Sequence, residues 1–79
     1  MLYSFEELRQ KEVIDIRTGE KLGYIDDIRI DAAGVSASEL VIYGSRGFFG
    51  FIGSDDDIIF RCREIKVIGS DVILIERYD

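Results

Sequence analysis

Short runs rich in isoleucine and valine, each followed by a turn that contains glycine, aspartate or serine, extend through most of the sequence. Ile14 and Ile16 alternate with charged neighbours in the first run, and a turn at 17–20 follows. Near the other end, the runs 66–68 and 72–75 flank Gly-Ser-Asp and predict a closing hairpin. Because strands this short and evenly spaced favour a barrel over an open sheet, we predict an all-β fold, a small barrel of about five or six short antiparallel strands.

A helix-start pattern precedes these strands. Ser4 and Glu7 have the spacing of a capping box, and Tyr3 and Leu8 have the spacing of a hydrophobic staple. We therefore expect a short N-terminal helical turn over 5–9.

The run 21–30 is longer and its apolar positions change phase. Ile25 falls on an odd position, whereas Ile28 and Ile30 fall on even ones. An extra residue near 26–27 would return both halves to one face of a sheet, so we predict a β-bulge there.

The central part of the chain continues with a turn and a strand. Residues 31–34 predict the turn, and the run 35–43 ends in four apolar residues, 40–43, which is typical of a central strand covered on both faces. A further strand is predicted over 57–60 and a single turn over 62–65.

The length and the cysteine content limit the class of protein. At 79 residues, 47% of them hydrophobic, the chain predicts one domain over 1–79 whose core needs no metal or disulfide. Cys62 is the only cysteine, which excludes an internal disulfide and indicates a reducing compartment. The first ten residues lack the apolar run of a signal peptide, and no stretch approaches the roughly 20 apolar residues of a membrane span. We therefore expect a cytoplasmic protein without a membrane partner.

The charge and the missing histidine argue against several functions. The formal net charge is -6, so phosphate backbones would be repelled and no nucleic-acid partner is expected. The absence of histidine removes the commonest general base near neutral pH and the commonest metal ligand. We therefore expect no enzyme activity, no catalytic residue, no cofactor and no metal site.

Two features of the sequence are candidate chemical sites. The aspartates 55–57, with Asp26, Asp27 or Asp31 nearby in space, could form a hard-cation site, but a solvated turn is favoured because consecutive aspartates cannot all face one ion. Cys62 could be a reactive thiol beside two arginines, but a packing role is favoured because free cysteines are usually buried.

The segment 44–53 (GSRGFFGFIG) differs from the rest of the chain, because it combines glycines with three phenylalanines. Aromatic side chains on a glycine-rich loop can project and act as binding anchors. The candidate partner-binding residues are Arg46, Phe48, Phe49, Phe51 and Ile52. The alternative is that the phenylalanines fold back and fill the end of the barrel.

A family resemblance rests on residues spread over nearly the whole chain. The string KLGYIDDIRID at 21–31 resembles the signature of PRC-barrel domains, and 57–60 and 65–75 are similar to the closing strands of that family. The loop 46–51 is similar to that of the YlmC/YmxH group, short stand-alone PRC barrels associated with sporulation in Gram-positive bacteria. The family often has Pro-Trp where this chain has Arg-Cys at 61–62, so we expect phenylalanines to fill core volume there.

The resemblance implies a non-enzymatic module that binds protein, with sporulation as its context. Related barrels occur in a photosynthetic reaction-centre subunit and in a ribosome maturation factor, so an RNA or ribosome-assembly accessory is the alternative. Exposed strand edges and phenylalanines also predict a homodimer.

Overall fold

The computed structural model describes residues 2–44 and 57–77. These residues form one α-helix, seven strands and two 3-10 helices: α1 Phe5–Leu8, β1 Glu12–Asp15, β2 Glu20–Tyr24, β3 Asp27–Arg29, η1 Val35–Ala37, β4 Glu39–Ile42, β5 Ile58–Arg61, η2 Cys62–Glu64, β6 Ile65–Ile68 and β7 Val72–Ile75. The all-β class is confirmed. The described part of the chain has one strand more than expected, because the run 21–30 is divided into β2 and β3.

The short helix begins where the capping pattern predicts. The Glu7 amide donates to Ser4 Oγ at 3.0 Å, and the Ser4 amide donates to Glu7 Oε1 at 2.8 Å, which completes the capping box. Within the described ranges, no helix is long and apolar enough to cross a membrane.

The strands form two sheets that do not close into one continuous barrel. The first sheet has the order β2-β1-β7-β6, and the second has the order β3-β4-β5. The predicted hairpins β1-β2 and β6-β7 are confirmed. The expectation of only antiparallel strands is wrong for β1 and β7, which pair in parallel. A parallel pair needs a long connection, and here nearly the whole chain lies between the two strands, so local turn patterns could not reveal it.

The phase change in the run 21–30 coincides with a change of sheet: the chain leaves the first sheet after β2 and enters the second at β3. The Asp26 amide donates to the Val41 carbonyl at 2.8 Å and Asp27 is the register partner of the same Val41, so two residues face one near the predicted bulge. Ile25 is buried at this crossing, whereas Ile30, predicted on the same face, is 67% exposed. A register shift does occur nearby, between Val13 and Ile14 of β1, where Leu22 is the extra residue of β2.

The core lies between the inner faces of the two sheets. The buried cluster takes residues from the first sheet, the crossing and the second sheet: Val13, Leu22, Ile73 and Ile75, then Ile25, then Leu40, Ile42 and Phe60. Phe60 is among the largest fully buried side chains, and Cys62 packs against the same cluster, so a phenylalanine does contribute core volume beside Arg61 and Cys62. Because both inner faces meet in this core, the two outer faces point away from each other.

Candidate interaction surface

The candidate partner-binding residues belong to the connection between β4 and β5. Arg46, Phe48, Phe49, Phe51 and Ile52 lie at 45–56, outside the described residues. Their two alternative roles, binding anchor and barrel plug, both stay predictions. The residues on either side of this connection are described, so the structure defines where it starts and ends.

Three aspartates hold the two ends of this connection. The Tyr43 amide donates to Asp26 Oδ2 at 2.9 Å, and the Tyr43 hydroxyl donates to Asp27 Oδ2 at 2.8 Å. On the other side, Asp57 Oδ1 accepts from the Gly44 amide at 2.9 Å. We call these five residues the loop base. It ties both ends of the loop to each other and to the chain between β2 and β3.

The electrostatics of the loop base favour a structural hydrogen bond between Tyr43 and Asp27. The hydrogen bond from the Tyr43 hydroxyl, with a second one from the Ile28 amide, lowers the pKa of Asp27 below its usual value. The same bond raises the pKa of Tyr43. At neutral pH the phenol is therefore the donor and the carboxylate the acceptor, and a proton transfer between them is disfavoured.

The loop base accounts for the described part of the aspartate cluster that was weighed as a cation site. Asp26, Asp27 and Asp57 each accept a hydrogen bond from the loop ends, and Asp31 accepts one from the Ala33 amide at 2.8 Å. Among the residues that the structure describes, no group of three or more Asp, Glu or Cys side chains is arranged to hold a metal ion. Asp55 and Asp56 lie outside the described residues.

An apolar strip adjoins the loop base on the outer face of the second sheet. The strand register places Asp27, Val41 and Ile59 side by side on this face, opposite to the face that carries Phe60. Val41 is fully buried, whereas Ile59 is 41% and Tyr43 37% exposed. We call Tyr43, Val41 and Ile59 the outer strip, and its exposed apolar surface comes from Tyr43 and Ile59. Exposed apolar side chains beside the ends of an aromatic connection are suited to contact with another protein.

A row of ion pairs borders the outer strip on the side away from the loop. Glu39 lies between two arginines, with Arg29 Nη1 at 3.5 Å and Arg61 Nη2 at 3.7 Å from its carboxylate oxygens. Arg61 also donates to the Ala37 carbonyl at 2.8 Å. This charged row gives the strip the polar rim that is usual at the edge of a protein interface.

Cys62 lies apart from the loop base, at the start of η2. Its side chain packs against the core, and burial raises the pKa of the thiol. A raised pKa reduces the thiolate fraction, which disfavours the reactive role and supports the packing role.

Sequence patterns did not predict the loop base. The sequence pattern places Tyr43 in an apolar run and Asp26 and Asp27 near a bulge. Their hydrogen bonds join positions that are 16 and 17 residues apart. No rule of helix or hairpin spacing relates such positions. The signal in the sequence that points to the loop base is an aspartate pair together with a tyrosine that ends a strand beside a glycine-rich loop.

Comparison with known proteins agrees with this architecture. Residues 1–79 match the PRC-barrel domain family. The chain is 32% identical over 74 residues to a Bacillus subtilis protein named probable sporulation protein YlmC, and the match covers 94% of this chain and 91% of the relative. It is 37% identical over 73 residues to an uncharacterized protein of Clostridium acetobutylicum, with 92% and 83% covered. With its strand-rich fold in two sheets and a match that spans all 79 residues, the chain belongs to the PRC-barrel family.

Proposed function

We propose that this chain is a non-enzymatic module that binds a protein partner through the loop 44–53 and the adjoining outer strip. The observation that carries the proposal is the loop base. Three carboxylates fix the ends of an aromatic, glycine-rich segment beside an apolar strip of the second sheet. Fixed positions of the two flanking ends lower the entropic cost of presenting a binding segment.

The chemistry of the surface favours a protein over a nucleic acid. The outer strip presents isoleucine and tyrosine, which fit an apolar groove or an aromatic side chain of a partner. The arginines of the rim are already paired with Glu39, and the formal charge of the chain is -6. Among the described residues of this face, Arg29 and Arg61 are thus engaged with Glu39, which disfavours direct contact with RNA, the alternative suggested by the ribosome maturation factor.

A structural use of the reactive side chains supports a non-enzymatic role. The carboxylates of the loop base accept hydrogen bonds from the backbone and from Tyr43, and the Cys62 thiol has a raised pKa. These groups hold the fold together in a way that does not prepare them for proton transfer or nucleophilic attack.

The relative from Bacillus subtilis carries the name of a probable sporulation protein. With 32% identity over most of both chains, we propose a related setting, in which this module acts in the cytoplasm of a sporulating cell and assembles with a protein of that process. The single cysteine is in keeping with that location.

Affinity purification from the native cell followed by binding of the purified partner tests the proposal. Two variants remove the proposed contact: the triple change of Phe48, Phe49 and Phe51 to alanine, and Ile59→Glu on the outer strip. Val35→Glu is the matched control, because Val35 is 70% exposed in η1 and is not part of the strip.

We expect the wild type and the control to capture the same protein, and both contact variants to lose at least about 10-fold in affinity in calorimetry, as expected when central interface side chains are removed. Equal affinity for all four proteins would contradict the proposal. A captured complex that disappears after ribonuclease treatment, or whose binding falls steeply with salt, would instead support the RNA alternative.

A further inference from the structure

The outer face of the first sheet is apolar, although it lies opposite the core. Side chains alternate along a strand, so Val13 of β1 and Ile73 of β7 enter the core and Ile14 and Leu74 point the other way. Ile14 and Leu74 are paired in register at the centre of the sheet, and Val67 of β6 is paired with Leu74. An apolar row therefore crosses three of the four strands.

Further apolar side chains extend this row into a patch. Ile16 is 46%, Tyr24 51% and Val67 49% exposed, and Ile14, Val72 and Leu74 are half-buried. We call these six residues the first-sheet patch. Ile16, Tyr24 and Val67 each expose about half of their surface, and the other three residues expose smaller parts. Together these parts give an exposed apolar area on the order of 400 Å². That is comparable to the largest patch on a typical monomer, which is often functional.

The charged side chains in and around the first-sheet patch are balanced. Glu12 lies within the patch, between its register partners Tyr24 and Val72, and Lys21 lies beside Ile14. Lys66 and Glu76 lie on the β6-β7 side, with Lys66 Nζ 4.0 Å from Glu76 Oε1. The local charge is therefore close to zero, whereas the whole chain has a formal charge of -6. Charges beyond a Debye length of about 8 Å are largely screened, so the repulsion between two acidic copies is weakest when they approach through this face.

The size of the face also suits a second copy. With the aliphatic parts of the four charged side chains added, each copy would bury on the order of 600–700 Å², near the lower end of stable interfaces. An isologous interface must be self-complementary, and a face that carries two lysines and two glutamates can pair opposite charges with a copy of itself.

We propose that the first-sheet patch is a homodimer interface, in which the four-stranded sheets of two copies pack face to face. The two outer faces of one chain point in opposite directions, so the dimer would present the outer strips of its two second sheets on its far sides. The inference is independent of the proposed function, but it implies that a partner with repeated binding sites gains avidity from the dimer.

Sedimentation equilibrium and light scattering of the purified full chain test the interface. We expect a mass of twice the 9.0 kDa of one chain at micromolar concentration. Val67→Glu places a charge at the edge of the patch, on a side chain that is half exposed in an edge strand, so the monomer should still fold. Because symmetry buries the charge twice, the dimer dissociation constant should rise at least about 100-fold. Val35→Glu makes the same change outside the patch and should alter it less than about 3-fold.

A monomeric wild type at concentrations up to about 500 μM, where even a weak dimer of this size would form, overturns the proposal. So does a dimer that Val67→Glu leaves intact, or one that both variants weaken equally. Circular dichroism establishes that each variant is folded. If Val67→Glu does not fold, NMR of the wild-type methyl groups at decreasing protein concentration tests the proposal instead. Dilution should shift the methyl resonances of Ile14, Leu74 and Val67 and leave that of Ile59 unchanged. The opposite pattern overturns the proposal. Partner binding and dimer mass are measured separately on the same variants. A loop variant that stays dimeric but loses its partner shows that the two surfaces act independently, so a failure of one proposal can be told from a failure of the other.

Discussion

Asp15 is a buried carboxylate whose replacement should destabilise the fold measurably. It ends β1, is only 3% exposed, and accepts from the Arg17 amide at 3.0 Å and from Arg77 Nε at 3.1 Å. It therefore joins the β1-β2 turn to the segment after β7. Asp15→Asn keeps an acceptor for the Arg17 amide and removes the charge that faces Arg77.

The magnitude follows from the bond that is weakened. A hydrogen bond to a charged group contributes about 1.5–3 kcal/mol. Because the Arg77 side chain is 32% exposed, water can replace part of it. We expect Asp15→Asn to lower the free energy of unfolding by about 2 kcal/mol, and Asp15→Ala, which removes both acceptors, by about 3 kcal/mol. For a domain of this length, about 2 kcal/mol corresponds to a decrease in Tm of about 8–16 °C.

The effect of Asp15 should depend on pH. The hydrogen bond from the Arg17 amide, followed by smaller contributions from Arg77, lowers the pKa of Asp15 in the folded state. A carboxylate with a lowered folded pKa stabilises the fold above its unfolded pKa of about 3.9, and this contribution is lost as the pH falls through the folded pKa. The difference in stability between wild type and Asp15→Asn should therefore be complete at pH 7 and shrink progressively below about pH 4.

Urea unfolding followed by circular dichroism measures this difference at pH 7, 4 and 2.5. Asp71→Asn is the matched control, because Asp71 is exposed and such substitutions usually change stability by less than about 0.5 kcal/mol. The reasoning is refuted if Asp15→Asn is no more destabilising than the control at pH 7, or if its cost is the same at pH 7 and pH 2.5.

Three further expectations test the core, the backbone and the thiol. In urea unfolding, Phe60→Ala should lower the free energy of unfolding by about 3–5 kcal/mol, and Ile59→Ala, on the opposite face, by less than about 1 kcal/mol. Equal decreases would contradict the assigned faces. Gly23→Ala should lower the free energy of unfolding by about 1–2 kcal/mol in the same assay, because the φ of +115° is unfavourable for alanine and the new methyl would lie 3.4 Å from Ile42 Cγ2. An unchanged stability would argue against this backbone conformation. Because burial raises its pKa, the Cys62 thiol should react with iodoacetamide more slowly at pH 8 than a free cysteine does, and an equal or faster rate would contradict its packing role.

Much of the local structure could be predicted because its signals lie close together in the chain. The capping box joins Ser4 to Glu7, the turn at 31–34 is closed by the Gly34 amide on the Asp31 carbonyl at 3.0 Å, and η2 begins at Cys62 as expected. Residues 40–42 are buried and belong to the central strand of the second sheet, in agreement with their apolar pattern. Each of these features depends on neighbours within a few positions.

The loop base could not be predicted in the same way. Only its location, at the ends of an unusual glycine- and phenylalanine-rich segment, was visible in the sequence. The partners of Tyr43 are aspartates that precede β3 or begin it, and they meet Tyr43 because β3 and β4 pair in one sheet. Hydrogen bonds of this kind follow from strand register, which a hydrophobic pattern does not specify when one strand is only a few residues long.

The sequence by itself determined the class of fold, the short capped helix, most strands and turns, and the family resemblance, because each depends on periodicity or on side chains close in the chain. Only the tertiary structure decided that β1 and β7 pair in parallel, that the chain changes sheets between Tyr24 and Asp27, and that Ile14, Leu74 and Val67 meet on an outer face. The first and the last of these features join residues from opposite ends of the chain. The tertiary arrangement is favoured because it buries the inner faces of both sheets in one core. That burial involves the whole chain, so no short segment of the sequence reveals it.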